Sequence, residues 1–360
     1  MGFYDEPFVY DLDQAEAEIA EVGSSEVQFS QPLNENLHIL AMNKLGEQVE
    51  GPRISRSKYL DRLDLMCRSH GPKLQIRFYG HYSDVFDGKI LESLPNIHSL
   101  TINCLYEAKN LEAIAGLKEL KSLQLGIYDL KDKDLLSKMP LENLSYLALE
   151  ETATKALDLA PLSRCRSLKT LRLFGQKKNI EAVGNLSKLR EFAFNPAKGK
   201  PLDFVNGMTS LTALKFVLGG VETIDEVELP KLKDIAFTMV RGLCDVGDLQ
   251  RFPSLERFLM QDQPRVEQIV TGSKNKKMKH FWFYNCPNFN EFEGCDDLPS
   301  LKSLHAVKTG LQLDRLRLPS SLSHLSVFSG KVKQEKLEIE AILTKKLIPE
   351  PPAEMPFFYK

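Results

Sequence analysis

The sequence predicts an α/β solenoid in which short strands stack side by side into a parallel sheet. Three observations predict it: apolar pairs separated by one residue recur every 21 to 24 residues, a further apolar residue stands three positions before each pair, and prolines precede several pairs at a constant distance. The pairs are Leu100/Ile102, Leu123/Leu125, Leu147/Leu149, Leu171/Leu173, Phe192/Phe194, Leu214/Phe216, Ile235/Phe237, Phe258/Met260, Phe281/Phe283, Leu304/Ala306 and Leu325/Val327. Ile76/Phe78, 24 residues before Leu100/Ile102, is predicted to be an extra leading strand.

Each apolar pair is predicted to be a strand, because alternation sends its two members into the core and the residues before, between and after them outward. Parallel strands lie about 4.8 Å apart, and the wider returning segments should curve the stack into an arc with the sheet on its concave side. Repeats this short favour 3₁₀ turns and brief helical pieces on the convex side. Pro95, Pro230, Pro253 and Pro299 lie five residues before their strands, where a missing N–H disturbs no ladder.

The unit "LxxLxL", present as "LKSLQL" and "LKTLRL", resembles the leucine-rich repeat family over about residues 72 to 330. The resemblance implies a curved solenoid and says little about activity. The family's inward Asn or Cys appears only as Cys286, while His81, Tyr128, Thr152 and Gln176 stand at equivalent places. Other groups are therefore expected to satisfy the backbone that an asparagine ladder would bond.

Four segments are predicted from composition and periodicity. Residues 1–32 are an acidic segment, either flexible or bound across basic surface, and residues 33–72 form an amino-terminal cap. The solenoid spans 73–330, and 331–360 combines a carboxyl-terminal cap with a proline-rich tail. Covers are expected at both ends because an open solenoid exposes apolar faces there.

Composition and motifs limit the partner class, the cellular compartment and the chemistry that the sequence predicts. The net charge of −2 gives no global reason to expect nucleic acid or membrane as partner. No apolar run is long enough for a membrane helix, and six scattered cysteines without a CxxC pair fit a reducing cytoplasm. Signatures of nucleophile elbows, phosphate loops and HExxH zinc sites are absent, so we expect a monomeric protein that is not an enzyme and carries no cofactor or metal.

Function should reside on the outward positions of the strands. Aromatic, imidazole and basic groups concentrate there toward the carboxyl-terminal end, and we predict a partner-binding surface on the concave face. Its residues are Arg172, Phe174, Lys215, Arg257, Gln261, His280, Trp282, Tyr284, His305, His324 and Phe328. The basic loop "GSKNKKMKH" at 272–280 enters the strand that carries Trp282.

Trp282 is the sequence's only tryptophan, and alternation points it toward solvent between Phe281 and Phe283. An exposed tryptophan on a rigid sheet has the character of an interface hot spot. Alternatively, the chain's own tail, with Met355, Phe357, Phe358 and Tyr359, folds over it. His280, His305 and His324 could share a metal, although no patterned carboxylate or thiolate accompanies them.

The sequence therefore predicts a scaffold that binds another protein, and an acidic protein is one option for that partner. The family resemblance implies a regulatory, inhibitory, effector or immunity-type role. The alternative is nucleic-acid or phosphorylated-ligand binding, in which Trp282, Tyr284 and Phe328 stack on bases and nearby Lys or Arg neutralise phosphate. Outward Glu150, Glu191 and Asp234 interrupt any continuous basic track.

Overall fold

The structure is a computed structural model and describes residues 8–42, 48–80 and 85–328. The chain divides into two compact units, Met1–Val183 and Gly184–Lys360. Neither of the two α-helices in the described ranges is long and apolar enough to cross a membrane. The predicted carboxyl-terminal cap and tail lie outside the described residues.

The described residues of the amino-terminal unit form two α-helices and eleven strands. The helices are α1 (Leu12–Val22) and α2 (Arg56–His70), and the strands are β1 (Phe8–Tyr10), β2 (Ser25–Phe29), β3 (Asn36–Met42), β4 (Gln48–Ser55), β5 (Leu74–Tyr79), β6 (Phe86–Asp87), β7 (Ser99–Leu105), β8 (Ala108–Lys109), β9 (Ser122–Ile127), β10 (Tyr146–Leu149) and β11 (Thr170–Leu173). Strands β2, β5, β7, β9, β10 and β11 pair in parallel in that order, and β1, β3 and β4 form a separate small sheet.

The carboxyl-terminal unit consists of strands joined by turns in its described part. The strands are β12 (Glu191–Phe194), β13 (Ala213–Val217), β14 (Asp234–Thr238), β15 (Arg257–Gln261), β16 (Gln268–Val270), β17 (His280–Cys286), β18 (Glu291–Glu293), β19 (Ser303–Thr309) and β20 (His324–Phe328). Seven of them, β12, β13, β14, β15, β17, β19 and β20, pair in parallel in that order.

The predicted inward pairs form the core of both units. Every one of them is buried, and the pairing registers align them strand by strand, as in Leu214↔Ile235 and Phe216↔Phe237. The rings of Phe216 and Phe237 stack with centroids 5.0 Å apart. Short 3₁₀ turns connect many of the strands, as predicted. The solenoid fold is thus confirmed for the described residues of each unit.

The missing asparagine ladder is replaced in part by other side chains. Gln176, 1% exposed, donates from Nε2 to the Glu150 carbonyl at 3.0 Å and to Thr152 Oγ1 at 3.1 Å. Cys286 is fully buried, and its thiol donates to the Tyr284 carbonyl at 3.3 Å. Burial raises the pKa of this thiol to about 12, so Cys286 is a structural, protonated cysteine.

The amino-terminal segment differs from the expectation of a flexible or surface-bound stretch. Residues 8–29 fold as β1, α1 and β2, and β2 precedes the predicted first strand by pairing Val27 with Ile76 and Phe29 with Phe78. Asp11 caps α1 by accepting the Asp13 N–H at 2.9 Å. This stretch lacks the LxxLxL spacing, so the repeat pattern does not predict β2. The predicted segment boundaries at 32, 72 and 330 stay predictions.

Candidate functional site

The outer face of the sheet in the carboxyl-terminal unit is organised in three columns of outward side chains. We use outer face for the side of the strands opposite the leucine and phenylalanine core. The first column is Glu191, Ala213, Asp234, Arg257, His280, Ser303 and His324; the middle column is Ala193, Lys215, Ala236, Leu259, Trp282, His305 and Ser326; the last column is Val217, Thr238, Gln261, Tyr284, Val307 and Phe328. Nine predicted site residues lie in these columns, and eight of those are half-buried.

Apolar side chains meet at the centre of this face. Ala236 and Leu259 are fully buried, Trp282 is 9% exposed, and half-buried Tyr284 packs against them. We call these four residues the outer-face cluster. The solvated face of a sheet is ordinarily polar. The outer-face cluster is therefore a second buried apolar cluster, on the side of the sheet opposite the core.

The Trp282 indole lies on the predicted face of the sheet but is buried there. The indole lies on the outer face, in register with Leu259 and His305, as alternation requires. The prediction that it projects into water is nevertheless wrong. His280 stacks on it with ring centroids 5.2 Å apart, and the His305 ring lies parallel at 6.5 Å. These neighbours and the cluster cover the ring, so Trp282 supports the surface more than it protrudes from it.

His280 and His305 are neutral packing groups at neutral pH. Burial, followed by the positive charges of Arg257, Lys302 and Lys279, lowers the pKa of His280 to about 4. Burial also lowers the pKa of His305. His280 Nδ1 shares a 2.8 Å hydrogen bond with Ser303 Oγ. Among the described residues, no group of three or more His, Cys, Asp or Glu side chains is placed to hold a metal ion.

Arg257 is held by a carboxylate of the neighbouring strand. Its guanidinium donates two hydrogen bonds to Asp234, one of them from Nη2 to Oδ2 at 2.8 Å. The Asp234 side chain is 6% exposed and that of Arg257 37% exposed. The pair therefore neutralises most of the positive charge that the sequence placed at this position.

The loop at 272–280 presents lysines from a fixed backbone. Asn275 is fully buried and donates from Nδ2 to the Leu249 carbonyl at 2.8 Å, which anchors the loop. Exposed lysines surround it in sequence, namely Lys274, Lys276 and Lys277. Lys279 instead pairs with Glu256 at 2.6 Å. The buried asparagine could not be distinguished from an ordinary loop residue in the sequence.

Two exposed apolar residues at the rim of the last column escaped the sequence prediction. Leu218 and Met239, 44% and 41% exposed, follow β13 and β14 directly. Both adopt left-handed backbone conformations, with φ of 57° and 53°, which cost roughly 1 kcal/mol for residues with a side chain. Their N–H groups donate to Thr238 O at 2.8 Å and Gln261 O at 3.0 Å, which holds the side chains at the rim.

The last two predicted residues belong to the other unit. Arg172 lies in β11 and its guanidinium carbon stands 5.7 Å from the centroid of the Tyr146 ring. Phe174 follows β11, is half-buried, and donates its N–H to the Leu149 carbonyl at 2.8 Å. The structure therefore groups nine of the predicted residues in one unit and these two in another.

Comparison with known proteins identifies the fold. No protein-family model matches the sequence, and the search of curated proteins gives no match either. Among solved structures, an internalin (inlF) from Listeria monocytogenes str. 4b F2365 is 16% identical, with a TM-score of 0.52 over 88% of this chain and 94% of that one.

Two further solved structures align more loosely. Internalin C2 (inlC2) of the same strain is 16% identical with a TM-score of 0.42, over 61% of this chain and 87% of that one. TLR13 in its complex with ssRNA13 is 14% identical with a TM-score of 0.46, over 77% of this chain and 49% of that one. Together with the strand register and the buried LxxLxL positions, the likeness to the first internalin shows that this chain has the leucine-rich repeat fold.

Proposed function

We propose that the protein is a non-enzymatic scaffold that binds a partner protein through the outer face of its carboxyl-terminal unit. One observation carries the proposal. The last column and its rim carry apolar and aromatic side chains beside the outer-face cluster, with Thr238 and Gln261 standing between the two groups. They are Val217, Leu218 and Met239 on and directly after β13 and β14, and Tyr284, Val307 and Phe328 on β17, β19 and β20. We call these six residues the aromatic stripe.

The stripe has the anatomy of an interface. Specific interfaces combine an apolar centre rich in Tyr, Trp, Phe and Met with a polar rim. Tyr284 and Phe328 are half-buried, so part of each ring remains available for contact. Tyr284 packs against the outer-face cluster, and strand β17 fixes both Trp282 and Tyr284 before binding. Such preorganisation reduces the entropy lost on association.

The strained rim supports the same surface. A left-handed position usually favours Gly or Asn, yet two large apolar side chains occupy adjacent left-handed positions here. Leu218 and Met239 each remain more than 40% exposed. The same position is left-handed at Asp262, Asn285 and Lys308, so the conformation belongs to the repeat, and the exposed apolar side chains are what point to a partner. A partner that covers Leu218 and Met239 would bury the apolar surface that they expose.

The basic loop suggests the charge of the partner. Lys274, Lys276 and Lys277 are exposed around the buried Asn275. An acidic segment of the partner would meet this loop, and the attraction would raise the association rate more than the final affinity. We infer a role of regulatory, inhibitory, effector or immunity type, exercised by a monomer in the cytoplasm.

Nucleic acid is the less favoured partner. Stacking on the aromatic residues would need accessible ring faces and a basic track along the backbone. Trp282 is instead covered by His280, and Arg257 is paired with Asp234. Binding that weakens steeply with added salt would favour nucleic acid, because each phosphate contact releases counterions.

A photo-cross-linking experiment tests the proposal. p-Benzoylphenylalanine replaces Tyr284 in one version of the full chain and Tyr146, a half-buried outer-face tyrosine of the other unit, in the matched control. Irradiation in lysate of the source cells should give a covalent adduct from position 284, which excess unlabelled wild-type protein suppresses. The purified partner should then bind Tyr284→Ala about thirtyfold more weakly, a loss of about 2 kcal/mol.

Two results would overturn the proposal. One is an adduct from position 146 without one from position 284. The other is a captured protein whose affinity is unchanged by both Tyr284→Ala and Met239→Asn.

A further inference from the structure

A cavity of about 350 Å³ lies in the amino-terminal unit, remote in sequence from the aromatic stripe. Strands β2, β5, β6 and β7, the segment after β2, helix α2 and the turn after β6 supply its described lining. Phe29, Leu60, Phe78 and Leu105 form its floor, and Arg56, Asp87 and Lys89 stand among its polar lining residues. Its volume falls within the range of small-molecule sites.

The floor is apolar and rigid. Phe29 and Phe78 stack with centroids 5.0 Å apart, and Phe86 tilts against Phe78 at 5.1 Å. Phe29 and Phe78 are only 3% and 4% exposed. Close packing behind these rings keeps the cavity from collapsing, so an apolar ligand body would find a preformed surface.

The charged lining residues have an excess of positive charge. The Asp87 carboxylate accepts hydrogen bonds from the Lys89 N–H at 3.1 Å and from Asn110 Nδ2 at 2.8 Å, and it pairs with Lys109 at 3.4 Å. These partners occupy the acid and lower its pKa. Its negative charge is therefore compensated within the fold.

The two basic lining residues, by contrast, have no carboxylate partner in the part of the chain that the structure describes. Arg56 Nη1 donates to the Leu33 carbonyl at 3.1 Å, which orients the guanidinium and leaves its other N–H groups for a ligand. Within the ranges that the structure describes, neither Arg56 nor Lys89 forms an ion pair. A ligand that complements this site has an apolar body and one anionic group.

We propose that this cavity binds a small amphipathic anion, of the class of medium-chain carboxylates. The hydrocarbon chain would lie on Phe29, Phe78 and Leu105, and the carboxylate would meet Arg56 and Lys89. The charge-assisted hydrogen bonds orient the head group, and burial of the chain supplies most of the affinity. The proposal is independent of the partner surface in the other unit.

Isothermal titration of the full-length protein with decanoate below its micellar concentration tests it. The wild type should show saturable binding at one site. Arg56→Ala combined with Lys89→Ala should weaken decanoate at least about tenfold and leave the affinity for neutral decanol within about twofold. Lys118→Ala removes an exposed lysine elsewhere on the same unit and should bind decanoate like the wild type.

A second variant tests the cavity itself. Val85 lines the cavity and is 45% exposed, so Val85→Trp should fill the space without disturbing the core, and binding of decanoate and decanol should both be lost. Circular dichroism and thermal unfolding check that each variant folds. Absence of saturable binding by the wild type would overturn the proposal. So would equal decanoate affinity in the double variant and in Lys118→Ala, or undiminished binding by Val85→Trp.

Discussion

The outer faces of the two units differ in how their outward side chains pack against one another. In the amino-terminal unit the outward side chains satisfy one another across the strands: Gln75 Nε2 donates to Glu26 at 2.6 Å and to Thr101 Oγ1 at 3.0 Å, and Gln124 Nε2 donates to Glu150 at 2.6 Å. In the carboxyl-terminal unit the middle and last columns, which correspond to Thr101, Gln124 and Glu150 of the other unit, hold Leu259, Trp282 and Tyr284. One repeat architecture thus carries a polar face and an apolar face.

This difference between the two outer faces indicates which of them a partner protein would bind with the larger gain in free energy. A polar network whose donors and acceptors are already paired offers little to an incoming surface, which must match each hydrogen bond that it disrupts. Glycine contributes to that network, since a Cβ at Gly126 would stand 2.2 Å from the Glu150 carboxylate. Partly exposed aromatic and apolar groups gain about 25 cal/mol for each Å² that a partner covers.

The largest effect that separates the two faces is expected from Trp282→Ala. The ring is 9% exposed and packed against His280 and Leu259, so its removal leaves a void in the outer-face cluster and should lower the free energy of unfolding by about 3 kcal/mol. Arg172→Ala, at the equivalent middle-column position of the other unit, should cost less than about 1 kcal/mol. Urea denaturation followed by circular dichroism compares them. Equal losses would contradict the distinction between the two faces.

Asp234→Ala is expected to cost about 2 kcal/mol, because it leaves the half-buried Arg257 guanidinium without its carboxylate. The double variant Asp234→Ala, Arg257→Met should recover part of this loss, since no unpaired charge remains. A double-mutant cycle on denaturation free energies measures the coupling. A coupling energy of zero would show that the pair does not organise the first column.

Acid should destabilise the apolar face through His280. The folded-state pKa of about 4 lies below the value of about 6.5 in the unfolded chain, so the unfolded chain binds more protons between these values. The free energy of unfolding should therefore fall as the pH decreases from about 6.5 toward 4, and this contribution should be constant above about 6.5. His280→Gln removes the titrating group and should reduce the slope in this window. Identical slopes in denaturation series of wild type and variant would refute the assignment.

Gln124→Ala tests the polar face. It removes a 2.6 Å hydrogen bond to Glu150 at a partly exposed site, and the expected loss in unfolding free energy is about 1 kcal/mol. Binding of the partner protein should not change, because this residue lies outside the aromatic stripe. Thermal unfolding and the cross-linked partner's affinity provide the two readouts. A loss of partner affinity as large as that of Tyr284→Ala would extend the interface to the polar face.

The smallest effect on stability, and opposite in sign, is expected from Met239→Asn. Asparagine tolerates the left-handed conformation that Met239 adopts at φ 53°, so the free energy of unfolding should stay constant or rise by up to about 1 kcal/mol. Partner affinity should nevertheless fall, because the exposed thioether is lost from the aromatic stripe. Denaturation and binding measured on one preparation separate the two effects. A clear loss of stability would indicate that Met239 serves the fold.

The strands could be predicted from the sequence because their signal is local and repeated. Leu214 and Phe216, for example, face the core whatever lies around them, since alternation alone fixes their direction. Coverage on the outer face depends on neighbouring strands instead. Alternation placed Trp282 on the correct side, but its burial depends on His280 and His305, whose ring orientations no spacing encodes.

The remaining features were hidden for related reasons. The exposure of Leu218 and Met239 depends on a left-handed backbone conformation that apolar residues seldom adopt. Nothing in the sequence at these two positions indicated that conformation. The cavity is assembled from β2, α2 and the turn after β6, which are far apart in the chain. Strand β2 itself carries Val27 and Phe29 without the preceding leucine spacing, and it was recognisable only through its pairing with β5.

The most direct test of the account is the fluorescence of the sequence's one tryptophan in the free protein. The account predicts emission shifted to the blue of indole in water and weak quenching by iodide, because the neutral His280 ring and the outer-face cluster cover Trp282. Replacement of Tyr284 by alanine should shift the emission toward the red. Emission like that of free indole, with strong iodide quenching in the wild type, would contradict the dry apolar centre on which the proposed interface depends.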